Sequence, residues 1–159
     1  MGKSGTKLLV VKKWMTALLL AATTVSIASI TLSLAGKAYA KVDPVPFREV
    51  RVLARKFGEG PLPTSTVVAL VMPMILNVLL FLPWGFLMFV LLDKVDRPTN
   101  QSYLLTVLLG LTFSLAVEAL QYFLPTRVTD INDVIWNGAG ALLGAILGHL
   151  RKRVRFAFE

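Results

Sequence analysis

The sequence has 159 residues, of which 55% are hydrophobic and only 16% charged, with a mean hydropathy of +0.69 and a formal net charge of +8. An ordinary soluble domain carries about 25% charged residues, so these figures argue against a soluble globular protein. The absence of cysteine excludes a disulfide framework, a thiolate nucleophile and a thiolate metal site; with one histidine as well, no metal and no cofactor are expected.

The uncharged residues fall in four blocks, Trp14 to Gly36, Gly60 to Leu92, Pro98 to Val117 and Val134 to Leu150, of 23, 33, 20 and 17 residues. A helix needs about 20 residues to cross a bilayer, within a range of roughly 17 to 25. The expected fold is therefore an all-α membrane protein, a bundle of four transmembrane helices at about 14–36, 67–92, 101–124 and 131–150. A basic N-terminus (1–13) and a basic tail (151–159) flank this membrane domain of 14–150. No segment is long enough to hold a separate soluble catalytic domain.

Lys and Arg are retained on the cytoplasmic side of membrane proteins. Ten of the seventeen lie before span one, between spans two and three, or after span four, and seven lie on the other side. Both termini are accordingly expected inside. With the basic residues assigned to topology or headgroup contact, no nucleic-acid surface is expected.

Span one carries Thr23, Thr24, Ser26, Ser29, Thr31 and Ser33, small hydroxyl residues that let helices approach closely or bond their own i−4 carbonyls. The basic start and the small-residue pattern Ala38-Tyr39-Ala40 also fit a secretory signal cleaved after Ala40, which would leave three spans. The 23-residue run exceeds the roughly 7–15 residues of a signal core and favours a full crossing. In the next segment Phe47, Val50, Leu53, Ala54 and Phe57 share one helical face, while Arg48, Arg51, Arg55 and Lys56 occupy the other. Pro46 suits a first helical position and Gly58 a stop. Such a helix either lies in the membrane interface, with Pro46, Phe47, Arg48 and Arg51 at the headgroups, or packs over the outer end of the bundle.

Span two contains Pro73 and Pro83, each of which frees the carbonyl four residues earlier. A freed carbonyl in hydrocarbon needs a partner, so a kinked helix enclosed by its neighbours is expected. Asn77, Phe81 and Gly85 recur every four residues as a polar, aromatic and small stripe, and Asn100 is placed to cap span three. Span three is apolar except for Ser114, Glu118 and Gln121 on one face. Glu118 lies seven residues before Pro125, about 10 Å inside the helix end at 1.5 Å per residue. A charge at the centre of a membrane helix costs at least about 2.5 kcal/mol, so Glu118 should face the bundle interior. Span four opens with Asp130 as N-cap and Asp133 near the positive end of the helix dipole. Asp133, Asn137, Gly140, Gly144 and Gly148 then form one face, polar at its outer end and glycine-lined below. The glycines form a close-packing surface, expected within the chain, with a homo-oligomer seam as the other use. His149 sits beside the basic tail, where a structural role is expected.

The short turn 124–129 brings Glu118 and Gln121 level with Asp133 and Asn137, with Arg127 and Asp130 above. Arg127 is the local cation and is expected to fork onto Asp130 or Asp133.

The stretch Asn77-Val78-Leu79-Leu80-Phe81-Leu82-Pro83-Trp84-Gly85-Phe86, then Glu118-Ala119-Leu120-Gln121-Tyr122-Phe123-Leu124-Pro125-Thr126-Arg127, Asp130, Asp133, Asn137 and Gly140, resembles the VanZ-like family of bacterial membrane proteins. Val45-Pro46-Phe47 fits that family's Pro-Phe element, and Trp84 stands where a Phe is expected. The resemblance spans about 40–150. It implies a multi-pass protein of the bacterial plasma membrane with a polar site, related to a founding member associated with low-level resistance to teicoplanin.

The first functional expectation is a non-enzymatic envelope protein. Its outer-leaflet cluster of Asn77, Glu118, Gln121, Arg127, Asp130, Asp133 and Asn137 would bind a membrane lipid headgroup or a lipid-linked wall precursor, with Pro83, Gly85 and the span-four glycines packing the helices. The alternative is a small proton- or cation-coupled transporter using Glu118. An enzyme with carboxylates as acid and base ranks last, because no catalytic residue is identifiable and no nucleophile has an adjacent base. The cluster could also serve only to pin the helix ends together.

Overall fold

The structure is a computed structural model and describes residues 13–33, 42–94, 97–125 and 127–151. Most of the N-terminal and C-terminal basic segments and the Ala38-Tyr39-Ala40 pattern lie outside the described residues. Five helices follow in order: α1 (Lys13–Ser33), α2 (Arg48–Glu59), α3 (Thr64–Leu92), α4 (Thr99–Tyr122) and α5 (Ile131–Leu150). Three of them, α1, α3 and α4, are long and apolar enough to cross a membrane. Two short strands, β1 (Val42–Asp43) and β2 (Thr129–Asp130), pair in parallel, Val42 opposite Thr129 and Asp43 opposite Asp130.

The packing has the polarity of a membrane protein. Leu18, Val25, Ile75, Leu79, Leu104, Leu108 and Leu115 are exposed, whereas Thr16, Ser102, Thr106, Ser114, Glu118, Gln121, Asn132 and Asn137 are buried. Hydrocarbon would solvate those outward leucines, while inward polar groups find partners only within the bundle.

Helix α5 packs most extensively on α3 and next on α4. Its glycines explain the closeness. A Cβ on Gly140 would meet the Val78 carbonyl oxygen at 2.4 Å, and one on Gly144 the Leu82 carbonyl oxygen at 2.2 Å. Reciprocally, a Cβ on Gly85 would meet the Ala141 carbonyl oxygen at 2.3 Å. The contacts 78–140, 82–144 and 89–148 advance together, so α3 and α5 run parallel. The span-four glycine face is thus filled by α3 of the same chain. Phe81 and Trp84, both buried, anchor the hydrophobic core with Leu20, Ile27 and Ala141. Trp84 donates through Nε1 to Thr24 Oγ1 at 3.0 Å, tying α3 to α1 with a polar handle that a phenylalanine would lack.

Five expectations are corrected. Pro83 is exposed and does not pack the interior; the helix presents Phe81, Trp84 and Gly85 inward instead. Pro73 is likewise exposed, as are Ala69 and Leu79, whose carbonyls the prolines free, so the broken turns are not enclosed by neighbouring helices. Pro46 precedes α2 rather than starting it, because Phe47 takes a left-handed conformation with φ 55° and ψ 33°. That unfavourable backbone is held by a hydrogen bond from Phe47 N to Asn132 Oδ1 at 2.5 Å and an edge-to-face contact with Trp136. At the other end, α2 continues through Gly58 to Glu59 and stops at Gly60, whose φ of 144° suits glycine alone. Asn100 lies inside the first turn of α4, which has no side-chain cap.

Helix α2 buries none of its residues, and Phe47, Val50 and Phe57 along its apolar side are exposed. Arg48 pairs with the largely buried Asp43, and Arg51 donates to the Pro46 carbonyl, so both arginines brace the turn entering the helix. The Asp43 hydrogen bond and charge push the Arg48 pKa up from its usual value.

Candidate functional site

The buried face of α4 reads Ser102, Thr106, Gly110, Ser114, Val117, Glu118 and Gln121. This is a stripe at helical spacing that runs the length of the helix and becomes most polar at its C-terminal end. Helix α5 faces it in the opposite direction: Asn137 Nδ2 donates to Ser114 Oγ at 2.8 Å, and Asp130 N donates to Glu118 Oε2 at 2.9 Å. Thr129 Oγ1 adds a bond to the Glu118 carbonyl at 3.2 Å. The tight 123–129 connection therefore places the deep carboxylate of α4 directly beneath the start of α5.

Asn77, Glu118, Gln121, Arg127, Asp133 and Asn137 converge on one cavity of about 330 Å³. Ile30, Thr31, Pro73, Leu76, Leu80 and Val117 complete its wall. All four long helices contribute. Its walls are unequal: α4 and α5 provide most of the polar groups, whereas α1 and α3 provide Ile30 and Leu76, which are exposed on the outside of the bundle.

Each polar group is held by a definite partner. Asn77 Nδ2 donates to Asp133 Oδ1 at 2.5 Å across the α3–α5 seam. Gln121 Nε2 donates to the Thr31 carbonyl at 3.0 Å, and Arg127 Nη2 donates to the same oxygen. Thr31 lies in the last turn of α1, where carbonyls have no helical donor, so the end of the first helix orients both side chains. Three atoms of the cavity-lining residues remain buried without a partner among the described residues: Gln121 Oε1, Asn137 Oδ1 and Arg127 Nε. Gln121 is only 2% exposed and Asn137 4%.

Six of the seven residues expected to cluster do meet at this cavity. Asp130 stands apart from its lining. Its side chain caps α5 by accepting from Asn132 N at 2.8 Å, and its backbone holds Glu118. The expected fork of Arg127 onto Asp130 or Asp133 does not form. The ion pairs among the described residues are Arg48–Asp43 and Arg55–Glu59. Arg127 is instead drawn across to the open carbonyl of α1, a partner invisible until the end of that helix is known.

Sequence reasoning missed Thr31 and Asn132. Asn132 accepts from Phe47 N and donates to the Val45 carbonyl at 3.1 Å and to Asp130 Oδ1 at 2.8 Å. It locks the segment before α2 onto the start of α5, next to the cavity. An Asn directly after an Asp-Ile capping pair was its only trace. His149, at the far end of α5, stacks on Tyr103 with ring centroids 5.8 Å apart and takes no part in the cavity.

A family model described as VanZ/LLP1 matches residues 9–152, nearly the whole chain. No curated protein and no solved structure matches it.

Proposed function

Because the chain belongs to the VanZ/LLP1 family, we propose that it is a multi-pass protein of the bacterial plasma membrane whose cavity binds the polar headgroup of a membrane lipid or of a lipid-linked wall precursor. In this reading α5 is a fourth crossing, both termini are cytoplasmic, and the cavity lies in the outer leaflet. Its 20 residues are sufficient for the hydrocarbon thickness, and close packing between α3 and α4 shelters its polar first turns. The uncovered apolar side of α2 supports its placement in the interface, with Arg55 and Lys56 toward the headgroups.

One observation carries the proposal. The cavity joins unpaired buried polar atoms on α4, α5 and Arg127 to exposed apolar residues on α1 and α3. A lipid has the same division, with a headgroup to satisfy the first and chains to lie along the second. Saturating a site with ligand at about 100 times its Kd stabilises a protein by about 2.7 kcal/mol. For a chain of this size that is a Tm rise of roughly 5–10 °C. A thermal-shift screen of the purified protein against envelope lipids should give such a rise, and Arg127→Ala should abolish it. No shift with any lipid would overturn the reading. A link to glycopeptide susceptibility is tested by the same variant in cells, at matched membrane levels.

A second reading, a proton- or cation-coupled carrier, draws on Glu118 being 4% exposed with no ion-pair partner among the described residues. It requires a pH-dependent flux in liposomes that disappears in Glu118→Gln.

A further inference from the structure

Resting on the headgroup reading, we propose that the group bound in the cavity carries a primary ammonium close to a phosphate, as in phosphoethanolamine.

The acceptors set the first half. Glu118 commits Oε2 and Asp133 commits Oδ1 to bonds within the protein, and each carboxylate has a second oxygen. Gln121 Oε1 and Asn137 Oδ1 are buried and unpartnered. The cavity thus offers two carboxylates and two amide oxygens, and only a donor can satisfy the amide oxygens. A primary ammonium is all donor, with three N–H groups and no lone pair, and its charge suits the carboxylates. A trimethylammonium has the charge but no N–H, so it would leave both amide oxygens dry and unpaired. A hydroxylated headgroup such as glycerol supplies donors without the charge.

Arg127 sets the second half. Its Nη2 is fixed on Thr31, which holds the guanidinium in place with Nε unpartnered and buried. A guanidinium edge is a preferred partner of phosphate oxygens. In the lipid the phosphodiester and the ammonium cancel in charge, so phosphoethanolamine adds less negative charge beside Glu118 and Asp133 than an anionic headgroup does. Size agrees: the cavity of about 330 Å³ is far larger than the roughly 10–15 Å³ of probe space that one water needs, so it has room for a small headgroup.

The test uses the full-length protein in detergent, titrated with short-chain phosphatidylethanolamine, phosphatidylcholine and phosphatidylglycerol, and separately with soluble phosphoethanolamine. Phosphatidylethanolamine is expected to bind at least about tenfold more tightly than the other two lipids, a difference of about 1.4 kcal/mol. Competition by phosphoethanolamine supports the proposal with a free molecule as a sufficient source. Lipid binding without such competition supports it with the lipid as the source. Asn137→Leu should lower the preference over phosphatidylcholine while binding persists. Equal affinity for phosphatidylethanolamine and phosphatidylcholine, or a preference for phosphatidylglycerol, overturns the ammonium assignment and leaves headgroup binding standing. Failure of all three lipids to bind overturns both. The comparison among lipids on the unaltered chain needs no variant to fold.

Discussion

The side chain of Asn77, near the middle of α3, donates to Asp133 in the first turn of α5 at 2.5 Å, joining residues 56 apart in sequence. Polar bonds between membrane helices average about 0.6 kcal/mol and reach about 1.7. A double-mutant cycle with Asn77→Ala and Asp133→Ala, read by reversible unfolding in detergent, should give a coupling energy in that range. The short distance and the carboxylate acceptor place it toward the upper end. Additive single effects would show that the bond does not hold the seam.

The glycine contacts predict a steep ordering. In Gly140→Ala and Gly144→Ala the new methyl meets backbone oxygen at 2.4 and 2.2 Å, and neither helix can move aside without opening the bundle. Overpacking of this kind costs about 1–3 kcal/mol and sometimes more, so both variants should lose several degrees of Tm or fail to accumulate. Gly148→Ala meets a Phe89 ring carbon at 3.0 Å, which a side-chain adjustment relieves, and Gly58→Ala meets nothing within 4 Å. Melting curves of the four variants would check the order 144 and 140, then 148, then 58.

Asn132 makes three side-chain bonds, two of which hold residues 45–47 against α5 while the third goes to Asp130 Oδ1. Asn132→Ala removes all three and leaves the strained Phe47 backbone without its acceptor, a loss of about 1–3 kcal/mol. Trypsin should then cut faster at Arg51, Arg55 and Lys56, and Asp43→Ala should act the same way by releasing Arg48. Arg55→Ala, which removes only an exposed pair, should leave cleavage at the remaining sites unchanged. Equal rates in the unaltered chain and Asn132→Ala would show that the latch does not restrain α2.

The limits of α5 were legible because Asp130 announces its start and the uncharged run ends at Arg151. The cavity-facing residues were legible for a related reason: polar side chains on an otherwise apolar helix can point only inward, so Ser114, Glu118 and Gln121 declared their face. Orientation alone does not name partners. Arg127 was matched to the nearest opposite charges, yet it binds the carbonyl of Thr31 because an unfilled helix-end carbonyl on a third helix lies within its reach. Prolines misled for another reason: freed carbonyls were expected to need enclosure, but Pro73 and Pro83 sit with the exposed side of α3. The start of α2 was missed by two residues because a tertiary bond to Asn132 holds Phe47 in a conformation that local preference disfavours.

Thr31 gives the first helix a further significance. Its carbonyl holds Gln121 and Arg127, and Thr24 receives the indole of Trp84. Processing after Ala40 would therefore remove more than a targeting signal. It would take away one wall of the cavity and the fixed point on which its guanidinium is set.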